Sequence, residues 1–192
     1  MKKLSLFLYS HSKLWHALVL TGLMIAYASV IMNSKSDCFL KELNDDQNLL
    51  GLKFGYTYDE AACFFDSLSE DGLKCYKNLL SKWDSIFPLI YASMYMAWLS
   101  LIYRKLGKGR RELRLINLYP LIPMFADWAE NISELFLISE YTSIHKISES
   151  SIRVSSLITQ IKWSLSTLNY IIILTGIVFL IKNKLSIKNK TL

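Results

Sequence analysis

The sequence predicts an all-α integral membrane protein: a four-helix transmembrane bundle with an amphipathic helical hairpin in its first external loop. Three observations carry this fold class. Apolar residues make up 52% of the 192-residue chain, and they gather into four blocks of about 20 residues, enough to cross about 30 Å of hydrocarbon. These blocks lie at about 14–32, 84–104, 115–138 and 157–181, within a single membrane domain spanning residues 1–192. The net charge of +6 is unevenly placed. Lys2, Lys3 and Lys13 open the chain, Arg104, Lys105, Lys108, Arg110, Arg111 and Arg114 fill the central short loop, and Lys182, Lys184, Lys188 and Lys190 close it, whereas residues 33–83 hold nine acids against six lysines. That alternation follows the positive-inside rule and puts both termini and the Gly107 loop in the cytoplasm, with 33–83 outside. It also accounts for the basic balance without nucleic acid. The third observation is a set of acids inside one apolar block: Asp127, Glu130, Asn131 and Glu134 fall within an arc of about 100° of one helix.

The first block follows a lysine-bearing start and passes Ala26-Tyr27-Ala28, which has the form of a signal-peptidase site. Its apolar run continues through Ser29-Val30-Ile31-Met32, so an uncleaved anchor is expected. His16, near the cytoplasmic end, reads as a packing residue and not as a ligand or proton carrier.

The external loop, 33–83, contains all three cysteines, Cys38, Cys63 and Cys75. Thr57-Tyr58-Asp59-Glu60 fits a capping box, with Thr57 as N-cap, and opens a helix carrying Ala61, Ala62, Phe64, Phe65 and Leu68. A turn at Ser69 to Gly72 leads into a second helical pattern through Leu73, Tyr76, Leu79, Leu80 and Trp83. The pair would lie on the membrane or cover the bundle mouth. Cys63 and Cys75 flank the turn and form the candidate disulfide, with Cys38 left free or the pairing altered; spacing alone does not set connectivity. No C-x-x-C occurs and no histidine lies among the cysteines, so neither thiol-redox chemistry nor a metal site is expected.

The second block opens with Asp84 and places Pro88 in its first turns, where a missing N–H does least harm. Asp84, Tyr91, Tyr95 and Trp98 share a face that could meet the acids. Asp84 is either a cap or a secondary site residue. The third block begins near Leu115 and contains Pro120 and Pro123, which should kink it. On that register Asp127 lies about 18 Å along the helix, near the midplane, and Glu134 approaches the external boundary. After a solvated turn, the fourth block carries Ser155, Thr159, Lys162, Ser166 and Asn169 within an arc of about 80°. Lys162 falls at the depth of Glu130 and Glu134, so an ion pair is the expected way to neutralise buried charge. Structural hydrogen bonding between helices accounts for the serines, Thr159 and Asn169, but two carboxyl groups on one helix favour function for Asp127 and Glu130.

Tyr56-Thr57-Tyr58-Asp59-Glu60-Ala61, Asp84-x-x-Phe87-Pro88-x-x-Tyr91, Ala126-Asp127-x-x-Glu130-Asn131 and Lys162-Trp163 together resemble the motifs of a family of small four-span bacterial membrane proteins. The resemblance implies a bacterial inner-membrane location and no activity. In layout alone, the chain is also similar to the four-helix sterol-isomerase and sigma-2-receptor-like group, whose intramembrane acids bind amphipathic amines or sterols; that likeness assigns no residue a role.

The leading expectation is a bundle that binds a lipid-like or amphipathic molecule. Asp127, Glu130 and Asn131 would recognise it, Lys162 and Asn169 orient the acids, Tyr91 and Trp128 line the pocket, and Glu134 serve as an interfacial or ion-pair residue. An isomerase-type proton transfer could use the same acids, although no catalytic motif is present. A proton- or cation-coupled transporter or channel component, acting as an oligomer, is the alternative, and an accessory assembly protein the third. Membrane lipids are the expected partners, and no cofactor or metal is implied.

Overall fold

Apolar runs that lack strand-like alternation coil into helices throughout this chain, and among the described residues every regular element is helical. The computed structural model describes residues 1–44, 47–106 and 111–188. Gly107, Lys108, Arg110 and Lys190 of the charge pattern lie outside the described residues. The helices are α1 (Lys2–His11), α2 (Leu14–Ala26), α3 (Asn33–Leu40), α4 (Tyr58–Asp66), α5 (Glu70–Asn78), α6 (Ser85–Leu106), α7 (Leu121–Ile144) and α8 (Glu149–Lys188). A π-helical turn, Tyr27–Met32, joins α2 to α3, a second, Leu79–Asp84, joins α5 to α6, and a 3-10 segment, Arg111–Leu118, precedes α7.

Local chemistry sets the helix starts. The Lys13 backbone N–H donates 3.1 Å to His16 Nδ1, so His16 closes the open amino end of α2. Thr57 and Glu60 form the expected capping box at α4, Thr57 N–H donating 2.8 Å to Glu60 Oε2 and Glu60 N–H donating 3.3 Å to Thr57 Oγ1. Hydrogen bonds from Lys53 and then from the Thr57 backbone pull the Glu60 carboxyl down to about 2. At α5 a distant residue assists the N-cap: Glu42 accepts from Ser69 N–H at 2.7 Å and from its hydroxyl at 2.9 Å.

The two prolines of the third block begin a helix and do not kink one. Pro120 occupies the N-cap of α7 and Pro123 its first turn, where no intrahelical N–H is needed. The helix therefore starts at Leu121, and Asp127 lies about 9 Å along it, half the depth expected from a start at Leu115. The first apolar helix departs in the other direction. It continues through the π turn to Leu40, so the loop expected to be external begins later than residue 33.

By length and composition three continuous helices are apolar enough to cross a membrane: Leu14–Leu40, Glu70–Leu106 and Glu149–Leu185. The 24-residue α7 is not among them, because Asp127, Glu130, Glu134 and Glu140 interrupt its apolar run. α6 packs against α2, α7 and α8, and α7 lies along α8. Large apolar side chains point outward on α2 (Leu18, Val19, Leu23) and on α8 (Leu174, Val178, Phe179).

The segment from α3 to α5, expected from the charge pattern to be external, has its own core. Phe39 of α3, Phe64 and Phe65 of α4 and Tyr76 of α5 pack with Leu137, Ile138 and Ile152 at the adjoining ends of α7 and α8. α4 and α5 therefore cover the adjoining ends of α7 and α8, but not as the expected hairpin: α5 packs along α3 and α4 against α8. At the opposite end Leu99, Ile102 and Tyr103 pack with Tyr9, Leu106, Ile116, Ile172, Ile173 and Leu180, and the buried Asn117 links Ser5 of α1 to Ser100 of α6.

α6 and α8 approach closely at Gly176, where an added Cβ would meet Ile102 Cγ2 at 2.5 Å and the Tyr103 ring at 3.0 Å. Gly176→Val is expected to destabilise the protein by about 1–3 kcal/mol. Gly22→Val, with nothing within 4 Å of an added Cβ, should be close to neutral. Thermal unfolding in detergent checks the pair, and equal melting temperatures would remove the close helix contact.

The cysteine pairing differs from the sequence expectation. Cys38 and Cys75 are joined, with Cα atoms 6.4 Å apart, and Cys63 is free and exposed. α5 packs along α3, whereas α4 packs on the external part of α8, so the nearest partner of Cys75 is on α3 and not across the turn.

Candidate functional site

One face of α7 and one face of α8 supply the polar side chains, as helical periodicity requires. Where they meet, Lys162 Nζ lies 2.5 Å from Glu130 Oε2. The ion pair is the one expected from matching depth. It is buried: the side chains retain 10% and 3% of their exposure. Lys162 Nζ also donates 2.8 Å to the Gly51 carbonyl, the Trp163 indole N–H donates 3.1 Å to the same oxygen, and the ammonium lies 5.0 Å from the Trp163 ring centroid, within cation–π range.

Gly51 belongs to a 3-10 turn, Leu50–Leu52, that dips from the external segment onto the acids. A Cβ on Gly51 would lie 3.2 Å from Glu130 Oε2 and 3.4 Å from Glu134 Oε1, so a larger residue would press directly on two carboxylates. Leu50 anchors the turn in the external core. Behind it, Tyr56 N–H donates 2.9 Å to Ser156 Oγ and the Tyr56 hydroxyl donates 2.7 Å to Ser155 Oγ. Burial raises the Tyr56 hydroxyl above its usual range, so it stays a neutral donor.

Glu134 is not interfacial. It is 1% exposed and accepts a hydrogen bond from the Tyr76 hydroxyl, because α5 folds over the end of the bundle and carries Tyr76 onto it. Depth along α7 therefore does not rank the acids as the sequence suggested: Asp127 is half-buried, while Glu130, Asn131 and Glu134 are buried. Asp127 Oδ2 accepts from the Tyr91 hydroxyl at 3.0 Å, which joins α7 to α6. Tyr95 makes edge contact with Tyr170. Trp98 turns away to α2, where its indole N–H donates to Thr21.

These groups face a cavity of about 410 Å³. Asp84, Asp127, Glu130, Asn131, Glu134, Lys162, Asn169 and Tyr91 all line it, which brings together nearly every residue singled out from the sequence. Trp128 does not line it; its indole N–H donates 2.9 Å to the Ser85 carbonyl, so it fastens α7 to the start of α6. Asp84 stands in the cavity wall at the end of the second π turn. Apolar side chains complete the lining, Met24, Ala28 and Met32 on the first apolar helix, Leu79 and Leu80 on the second π turn and Phe87 on α6, with Asn33 and Ser36 of α3 also present. Both π turns contribute to these walls. Their widened backbone frees carbonyls for side-chain donors, as at Trp83, which accepts from Tyr27 at 2.8 Å.

Four buried polar atoms in this wall have no hydrogen-bond partner: Glu130 Oε1, Asn131 Nδ2, Glu134 Oε1 and Asn169 Oδ1. Buried groups without partners are rare and costly; a fifth, Glu140 Oε2, lies elsewhere, and these four share one cavity. Among the described residues, no group of three or more His, Cys, Asp or Glu side chains is arranged to hold a metal ion.

Three contributors were not recognised from the sequence. Tyr76 read only as an apolar position of a helix, Gly51 as part of a polar loop, and Trp163 as a motif residue without a role. The apolar run Leu49-Leu50-Gly51-Leu52 within an acidic loop was the available signal for the turn that covers the acids. No protein-family model, curated protein or solved structure matches this chain.

Proposed function

We propose that this chain is a multi-pass membrane protein whose helices, α7 as the fourth span, form a bundle that binds a lipid-like or amphipathic small molecule. The cavity carries the reading. Its volume of about 410 Å³ falls in the range of small-molecule sites, about 300–1,000 Å³, and its lining combines acidic with apolar side chains. Asp127 and Glu130 supply polar recognition, Lys162 and Asn169 hold the acidic wall in place, and Tyr91 orients Asp127. Membrane insertion is supported by three helices of sufficient length and apolarity and by the outward apolar faces of α2 and α8. With Glu130, Asn131 and Glu134 on the covered face of α7 and Phe125, Ile132 and Phe136 on its exposed one, the acids would meet protein and cavity and not lipid. The packed apolar end around Leu99, Ile102 and Tyr103 favours a cavity blocked at that end over a transport path.

The expected result for Asp127→Asn is loss of the bound molecule with folding and membrane insertion unchanged. Native mass spectrometry of protein purified from its own membranes checks this. A wild-type protein without any bound molecule, or a variant that keeps it, defeats the assignment.

The same reading puts the external segment outside a bacterial inner membrane and both termini in the cytoplasm, in keeping with the charge pattern and with a Cys38–Cys75 disulfide in an oxidising compartment. Cys63, free and exposed, should react with a membrane-impermeant maleimide added to intact cells. Labelling only after the cells are opened would reverse the orientation.

A further inference from the structure

The acidic wall is a ladder, not a single headgroup pocket. Asp127, Glu130 and Glu134 follow one face of α7 at rises of about 4.5 Å and about 6 Å. Asp84 joins them from the π turn before α6, and all four line the same cavity as Lys162. Lys162 is already committed, to Glu130 Oε2 and to the Gly51 carbonyl. Four carboxyl groups against one ammonium therefore leave the wall rich in acids and short of basic partners.

The unpartnered atoms point the same way. Glu130 Oε1, Glu134 Oε1 and Asn169 Oδ1 are acceptors, on side chains that are 2%, 1% and 2% exposed. Only one donor, Asn131 Nδ2, stands among them. A bound partner must therefore bring more N–H or O–H donors than acceptors, distributed along its length. Met24, Ala28 and Met32 also line the cavity, on one side of a helix about 12 Å long over that stretch, and offer contact to hydrocarbon, with Asn33 and Ser36 beyond them.

Resting on the binding cavity of the reading above, and replacing its lipid-like occupant, we infer that the ligand is a linear aliphatic oligoamine, with two or three ammonium groups separated by short methylene runs. Three or four methylenes hold neighbouring nitrogens about 5–6 Å apart in an extended chain, the spacing of the carboxylate ladder. Each ammonium places its N–H donors on the α7 side, and the methylenes lie along Met24, Ala28 and Met32. Tyr91 and Trp163, both in the wall, add aromatic faces to which cations are attracted. A single-headed amphiphile would satisfy one rung and leave the other buried acceptors unpaired. A metal ion would find no suitable ligand group among the described residues.

The test is a titration of the purified full chain in neutral detergent, read by isothermal calorimetry, with spermidine, putrescine, dodecylamine and monoolein as probes. Spermidine should bind most tightly and putrescine about tenfold more weakly, as expected for one lost buried ion pair worth about 1.4 kcal/mol. Dodecylamine and monoolein should be weaker still. Glu134→Gln and Asp127→Asn should each reduce spermidine affinity about tenfold. Dodecylamine or monoolein binding more tightly than spermidine would overturn the oligoamine class and leave the binding cavity standing. If none of the four probes binds, both fall. The wild-type probe series decides the matter even where a variant fails to fold.

Discussion

Lys162→Met is expected to destabilise the protein by about 3–5 kcal/mol, the cost of removing one partner from a buried ion pair. Methionine fills similar space, so the loss is electrostatic and not a packing defect. Glu130 loses the cation paired with it, and Gly51 keeps the Trp163 indole as a donor. The turn that covers the acids should therefore loosen together with the α7–α8 contact. Removing the carboxylate as well should recover much of the loss, because Glu130→Gln with Lys162→Met leaves no buried charge without its partner at that point. The four proteins form a double-mutant cycle, measured by unfolding in detergent. Additive effects, with the double variant worse than Lys162→Met alone, would mean that the pair does not bind α7 to α8.

Loss of the Cys38–Cys75 disulfide carries the next largest effect. The bridge closes 37 residues of chain, and loop-closure entropy assigns such a cross-link about 4 kcal/mol. Cys75→Ser should therefore lower the melting temperature of the external segment, by loosening α5 from α3 and with it the Tyr76 hydroxyl that bonds Glu134. Cys63→Ser should be nearly silent, since the Cys63 thiol is exposed and its contact is a hydrogen bond from Gln47. A reductant should reproduce the Cys75→Ser effect on the wild-type protein and do nothing further to the variant. Peptide mapping without reduction provides the direct check: a Cys63–Cys75 peptide would refute the pairing. Because Tyr76 connects this segment to the acidic wall, Cys75→Ser should also weaken ligand binding while the apolar helices stay folded.

Much of the site was legible as periodicity. Asp127, Glu130, Asn131 and Glu134 share a helical face whatever surrounds them, and so do Ser155, Thr159, Lys162, Ser166 and Asn169; antiparallel helices of known direction then bring Lys162 to Glu130. The capping box at Thr57 was equally readable, because it depends on residues three positions apart. These are local rules, and the sequence states them completely. The disulfide, the burial of Glu134 and the position of Gly51 were decided by contacts across long stretches of chain. Tyr76 reaches Glu134 from 58 residues away and Gly51 reaches Lys162 from 111. No periodicity records such distances, because they follow from how the external segment's own apolar core, Phe39, Phe64, Phe65 and Tyr76, docks on the ends of α7 and α8. The sequence by itself determined that the chain is helical and that one acidic face must find a basic counterpart; only the tertiary structure determined what covers that face, since burial depends on which distant surfaces exclude water together.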